Sequence, residues 1–455
     1  MQLSGSVRIP VITAAVLAGG LVAGSLVRIN PFSESGAALT ALDISIGTGL
    51  LLLFGSVLHR RKLGDFVRFV GRHPAWRFSA LFLLIALFTL LVRAGSYPPN
   101  ELIVAGAYLL RLIATFVLFW LLAYGGTRFR KPLLGAFGVA AAALVSLGFL
   151  QLQLVPNFRF ARREGWDPHL DRLFSTFLDP NFFGIFAVLA MAVALAMYLR
   201  NRKEKGRKGA VAAGYLLLFL ASWVALYFTF SRSAWVAGLI AIPPIAWKYR
   251  KMLTVVIAAV FIAALFLPTR LGDRFESTQG LIRASDYQGE RYVCDPAEPV
   301  AACDPSGSNR IFSIRDGLEL ARQHPVFGVG YNAYAFAMKQ DGKATERSLR
   351  RHSANGSDSS LLNVLVTTGA FGLLAFLAFF AGTLWRLFKQ SAGTGTVAWL
   401  SWGLLWFTPA WLAASFFNNA VLYQLILVPW GMLLAVALAR GNPASPTKNP
   451  ARGGR

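Results

Sequence analysis

Charge is scarce in this chain: Asp, Glu, Lys and Arg supply 15% of its 455 residues, hydrophobic types 55%, and the mean hydropathy is +0.53. A soluble domain of this length needs far more polar surface, so a soluble globular fold is excluded. Cysteine occurs only twice, at Cys294 and Cys303. With no Walker loop, no dinucleotide fingerprint and no zinc-type Cys/His spacing, the usual nucleotide, redox and metal chemistries have no sequence foothold, and no metal or cofactor is expected. Repeats of 20–50 residues are absent, as is the inverted duplication common among carriers.

Apolar runs of about 20 residues, each enough to cross a hydrocarbon core about 30 Å thick, are plentiful instead. Twelve candidate spans lie near 10–28, 37–57, 78–96, 101–124, 133–153, 181–199, 209–230, 233–247, 252–268, 359–385, 396–416 and 420–439. Arg8 followed by an apolar stretch ending near Ala23-Gly24-Ser25 resembles a signal peptide, but an uncleaved first helix is needed to balance the twelve spans. The eighth span contains Pro243 and Pro244, a break tolerated when a helix is buried among others. The fold class expected is an all-α integral membrane protein of about 12 transmembrane helices. Helices 1–9 occupy residues 1–268, a large periplasmic loop 269–357, helices 10–12 residues 358–440, and a disordered Gly/Pro/Arg-rich cytoplasmic tail 441–455.

Orientation follows from the placement of Lys and Arg in short connections. Arg8, the connections Arg60–Arg77, Arg128–Lys131, Arg200–Lys208, Lys248–Lys251 and Arg386–Lys389, and the tail from Arg440 hold 25 basic residues and two acidic ones. All fall on one side of a twelve-span chain, which puts both termini in the cytoplasm. The net charge of +24 is thus a topology signal, and no nucleic-acid partner is expected. The segment Thr269–Ser357, with twelve basic and eleven acidic residues, lies outside, and an oxidising compartment there permits a Cys294–Cys303 disulfide.

Ionisable residues near the membrane are costly, so those at the outer ends of the spans are functional candidates. Arg172 precedes Ser175-Thr-Phe-Leu-Asp179-Pro180-Asn181, where Asp179 or Asn181 also suits a helix cap. Ser231-Arg232-Ser233 sits in an outer connection of two or three residues, which leaves Arg232 able to snorkel outward or bind an anion. Arg310 opens an amphipathic stretch with apolar residues at 311, 314, 318 and 321, expected to lie over the membrane domain, followed by His324-Pro-Val-Phe-Gly328-Val-Gly330. Arg350-Arg351-His352 precedes Asp358-Ser-Ser at the start of the tenth span, with Gly369 and Gly372 inside it. Asp358 suits either a helix cap or a general base. Arg111, mid-span in the fourth helix, must face protein, water or a lipid phosphate; a polar cavity and a buried pair with Asp43 are both open to it.

In order and spacing, these motifs from about residue 170 to 425 resemble the O-antigen ligase/polymerase superfamily of bacterial surface-polysaccharide assembly. The resemblance implies a GT-C-like helical transferase of the bacterial inner membrane with its active site facing the periplasm. It also implies a glycan donor linked to undecaprenyl pyrophosphate, a glycan or lipid-linked acceptor, contact with membrane lipids, and a chain-length regulator as a possible partner. Arg232 and Arg310 then correspond to pyrophosphate-binding arginines; Arg172, Asn181 and Arg111 are further candidate substrate contacts on their placement alone. Ligases of this superfamily commonly show His where this chain has Asp358, which shifts the expectation toward a polymerase and leaves His352 as the alternative base. A ligase delivering glycan to lipid A core, a protein O-oligosaccharyltransferase and a lipid-linked sugar transporter are the competing readings.

Overall fold

The computed structural model describes residues 5–29, 38–59, 62–160, 166, 169–205, 209–266, 305–343 and 356–440. Within them lie fifteen α-helices: α1 (Gly5–Ala23), α2 (Ala41–His59), α3 (Leu63–Arg72), α4 (Pro74–Val92), α5 (Pro99–Gly125), α6 (Arg130–Leu154), α7 (Pro180–Lys205), α8 (Ala210–Phe228), α9 (Arg232–Trp247), α10 (Lys251–Phe266), α11 (Pro305–Gln323), α12 (Tyr334–Gln340), α13 (Ser360–Ser391), α14 (Gly395–Ala414) and α15 (Gln424–Ala437). A two-residue antiparallel ladder joins β1 (Arg28–Ile29) to β2 (Leu39–Thr40). Each expected span overlaps one of these helices, the first being displaced, since α1 ends at Ala23, short of the expected limit at residue 28. By length and composition, six helical stretches among the described residues are long and apolar enough to cross a membrane, one of which, 99–154, comprises both α5 and α6. The chain is therefore a multi-pass helical membrane protein. Cys294, Cys303, His352 and the tail lie outside the described residues.

Helix α7 is the pillar of the bundle. Its start is set by Pro180 and by Asp179, whose Oδ1 accepts from the backbone N–H groups of Asn181 (2.6 Å) and Phe182 (3.2 Å). Its end, Arg200-Asn-Arg-Lys-Glu-Lys205, places cations where the dipole favours them. Between these ends it is apolar on every face and buried throughout, packed by α8, α9 and α14. A second buried helix, α15, closes the core through Trp430, whose ring lies 5.3 Å from Trp411 and whose Nε1 donates to Thr408 Oγ1 at 3.0 Å.

The basic connections gather at one end of the bundle. Lys203 Nζ donates to Lys248 O (3.0 Å), Lys248 Nζ to Ser391 O, and Arg440 N to Ala123 O (3.0 Å), while Glu204 accepts from Gly395 N (2.9 Å) and Trp399 Nε1 (2.8 Å). One element of this end is absent from the sequence reading: residues 63–72, counted there within a connection, form the amphipathic helix α3.

Two corrections concern the opposite end. The amphipathic helix begins at Pro305, and only part of its expected face is turned inward: Ala321 is buried and Ile314 half-buried, but Ile311 and Leu318 are exposed, and Gly317 and Leu320 are buried instead. The reason is Gly317. A β-carbon there would stand 2.8 Å from Leu362 Cδ2, so the missing side chain lets α13 approach and turns the helix about that contact. Helix α13 is itself broken at Gly369 (φ 66, ψ −170). The break is filled by the turn after α11: Val329 N donates to Val366 O (2.8 Å), Gly330 N to Thr367 O (3.1 Å) and Ala370 N to Pro325 O (2.9 Å). Gly328 (φ 65) and Gly369 face each other's backbones, and a β-carbon on either would stand 2.5 Å or less from a carbonyl oxygen. Arg93 and Tyr97, just beyond α4, pin this joint: Arg93 Nε donates to Gly328 O (3.1 Å) and Tyr97 Oη to Val329 O (2.8 Å). Arg93 Nη2 also donates to His324 Nδ1 (3.0 Å), and burial, with the charge of Arg93 adding to it, lowers the His324 pKa.

Candidate active site

At the end opposite the basic connections, a cavity of about 350 Å³ opens between the first turns of α7, α13 and α15 and the polar loops beside them. Arg111, Asn181, Arg310 and Asp358, drawn from four distant stretches of sequence, all line it. Arg111 joins the two arrangements that the sequence left open. Its guanidinium forks onto Asp43 (Nε–Oδ1 2.7 Å, Nη2–Oδ2 2.9 Å) and donates to Ala38 O, yet it also borders the cavity. Asp43 is held in turn by Thr40, whose N and Oγ1 both donate to Oδ2 at 2.8 Å. This fork fixes α5 to the short ladder.

Asp358 sits immediately before α13, and the cap of that helix is Ser359, whose side chain accepts from Leu362 N. The carboxylate is thus not the capping group. The Asp358 backbone N donates to Ser313 Oγ of α11 at 2.9 Å, which fixes the residue to the helix that carries Arg310.

Arg172, Asn181 and Arg310 are joined by one hydrogen-bonded chain that runs along the cavity wall. Arg172 donates through Nε to Thr229 O (2.8 Å) and through Nη2 to Asn181 Oδ1 (3.3 Å). Ser231 Oγ donates to the same Asn181 Oδ1 (3.0 Å) and lies 3.4 Å from Ser233 Oγ. Asn418 Nδ2 donates to Ser233 Oγ, and Arg310 Nη2 donates to Asn418 Oδ1 (3.1 Å). Arg232 is the first residue of α9, between the two serines, and like Arg172 is not among the residues that line the cavity. Ser231 caps α9, its side chain accepting from Ala234 N, and so fixes the start of the helix at Arg232.

Sequence reasoning missed several lining residues: Arg28, Trp166, His169, Asn363 and the pair Asn418-Asn419. Arg28 had been counted inside the first span, but α1 ends at Ala23 and Arg28 belongs to β1, its guanidinium over the Trp166 ring at 5.0 Å. Two adjacent asparagines between apolar runs were a readable signal, since amides at the edge of hydrocarbon need partners. Backbone strain also concentrates around this site. Asp171, Ser175, Leu178, Phe230 and Asn332 all have φ between 47° and 59°, a region side chains other than glycine adopt at a cost of about 1 kcal/mol or more each. Among the described residues no three His, Cys, Asp or Glu side chains converge as a metal site requires.

The fold and the cavity define a multi-pass membrane protein with a polar, arginine-bearing site at one end of its helices. Residues 217–377 match the family model described as O-antigen ligase. The match covers the part of the chain that holds Arg232, Arg310, Asp358 and the Gly328–Gly369 joint, and it supports the resemblance to the O-antigen ligase/polymerase superfamily. No curated protein matches the chain.

Proposed function

We propose that the chain is a glycosyltransferase of the bacterial inner membrane that moves a glycan from undecaprenyl pyrophosphate to an acceptor sugar hydroxyl at the outer face, acting as an O-antigen or exopolysaccharide polymerase. The observation that carries this reading is one cavity lined by Asp358 together with Arg28, Arg111 and Arg310. Transfer needs both. A base takes the proton of the acceptor hydroxyl, whose oxygen bonds to the anomeric carbon as the bond from that carbon to the pyrophosphate oxygen breaks. The departing lipid pyrophosphate keeps the electron pair, and guanidinium forks match its oxygens. In this reading Arg310 holds the pyrophosphate in the cavity and Arg232 assists from the first residue of α9, outside the cavity lining, while Arg111 and Asn181 border the anion and Arg172 supports the wall through Asn181.

Asp358 at the position where ligases carry His favours a second lipid-linked repeat as acceptor over lipid A core. Asp358→Asn is nearly isosteric and cannot act as a base, so it abolishes polymer formation from purified lipid-linked repeat while donor binding persists, and His352→Ala keeps substantial activity. An active Asp358→Asn with a dead His352→Ala moves the role to His352 and restores the ligase reading. Movement of labelled lipid-linked sugar across vesicles with no new glycosidic bond replaces the enzyme with a transporter.

A further inference from the structure

The basic end of the bundle carries a surface that the protein's own packing does not use up. His73 alone, in extended backbone (φ −92, ψ 117), separates α3 from α4, so α3 leaves the axis of α4 and crosses the end of the bundle. Its inward arc is Phe66, Phe69 and Val70, with the rings of Phe66 and Phe69 5.6 and 5.7 Å from that of Tyr124. The apolar arc is wider than this contact. Leu63 and Val67, on the adjoining strip, are 44% and 60% exposed. The opposite arc is polar, with Arg72 beside the Arg68–Asp65 pair at 2.6 Å.

Against this strip lies a groove of about 400 Å³, lined almost wholly by apolar surface from Val70, Gly71, Leu81 and Leu84 among others, with Arg77 its one charged residue. The groove continues onto the outward face of α4, where Leu81 and Leu84 are exposed. Residues 62–77 hold Lys62, Arg68, Arg72 and Arg77 against Asp65 alone.

We infer that α3 and this groove form a binding site for an anionic phospholipid, with an acyl chain along Leu81 and Leu84, the phosphate at Arg77, and Arg72 adding positive charge from the polar arc of α3. A helix with an uncovered apolar strip and a cation-rich polar arc lies in the membrane interface, apolar side down. Arginine stems lie along hydrocarbon while their heads stay in the phosphate layer. Charge complementarity selects the headgroup, because a zwitterionic lipid fills the same groove but brings no net charge to the cations. The apolar lining selects a lipid over an acidic peptide or free phosphate, neither of which gains from such a surface.

The test uses the full chain, delipidated in detergent and offered equimolar dioleoyl phosphatidylglycerol and dioleoyl phosphatidylcholine, with bound lipid read by native mass spectrometry. The wild type retains phosphatidylglycerol over phosphatidylcholine. Arg72→Gln with Arg77→Gln reduces that preference by about fivefold per charge removed, and Arg315→Gln, an exposed arginine on α11, leaves it unchanged. Equal retention of the two lipids, or an undiminished preference in the double variant, overturns the site. Photo-crosslinking of phosphatidylglycerol carrying a diazirine in its acyl chain guards against a variant that misfolds. Label on the peptide containing Leu81 and Leu84 supports the site, and label confined to other helices overturns it.

Discussion

Gly369→Ala tests the joint that carries the candidate base. The substitution asks an L-residue to hold φ 66, ψ −170, a region essentially restricted to glycine, at a cost of about 1–3 kcal/mol, and places a β-carbon against Val326 O and Val326 C. Both are backbone atoms, so no side chain can swing away. Relief requires the turn at 325–330 to separate from α13, which breaks the bonds Val329–Val366, Gly330–Thr367 and Ala370–Pro325 at about 0.5–1.5 kcal/mol each. The total is on the order of 3–7 kcal/mol. A thermal melt of the purified protein in detergent, with Gly214→Ala as the control, measures it. Gly214 is an exposed helical glycine with nothing within 4 Å of a built β-carbon, so alanine there is neutral or slightly stabilising. A wild-type melt for Gly369→Ala refutes the reasoning, because the three bonds and the left-handed backbone would then contribute nothing.

The remaining expectations rest on charge. Asp43→Asn or Arg111→Gln alone leaves one member of a largely buried pair (side chains 10% and 20% exposed) uncompensated and costs about 3–5 kcal/mol, whereas the double variant recovers much of that stability in the same melt. Arg232→Lys and Arg310→Lys keep the fold but each lowers turnover on lipid-linked repeat by roughly 10²-fold, since a point charge lacks the planar fork; wild-type turnover in both removes the pyrophosphate assignment. His324 is held below its ordinary pKa, and burial with Arg386 pushes His73 down to about 4. The neutral rings therefore contribute stability above about pH 6.5 that is lost as pH falls below it, for His73 toward about 4, and His324→Gln or His73→Gln flattens the fall of the melting temperature with acidification.

Much of the bundle is legible because hydropathy reports directly on each apolar run, and the buried α7 announces itself by being apolar all round. Helix α3 was hidden by the same rule that gave the orientation: its arginines marked 60–77 as a connection, and ten residues are too few for a span. The Gly369 break was invisible because glycine within an apolar run counts as neutral, and the short Gly328-Val-Gly330 motif looked weak alone. Only the fold shows them to be two halves of one contact. The turned face of α11 has the same origin, since a count of apolar side chains gives no weight to Gly317. Within the site, arginines stood out for being expensive near hydrocarbon, while Arg28 was absorbed into a span by an apolar run that ends before the helix resumes at α2.

In the chain of bonds from Arg172 to Arg310, the sense of each link follows from its neighbours. Guanidinium groups only donate, so the amide of Asn418 must turn its oxygen to Arg310 and its nitrogen to Ser233, and Asn181 must offer its oxygen to Arg172 and Ser231. Ser233, receiving from Asn418, has its own proton to send toward Ser231, whose proton is already committed to Asn181. No hydroxyl rotor and no amide flip is left undecided along this wall. An anion arriving beside Arg310 therefore meets dipoles that have already chosen their direction, and its charge is accommodated without any of them having to reorient.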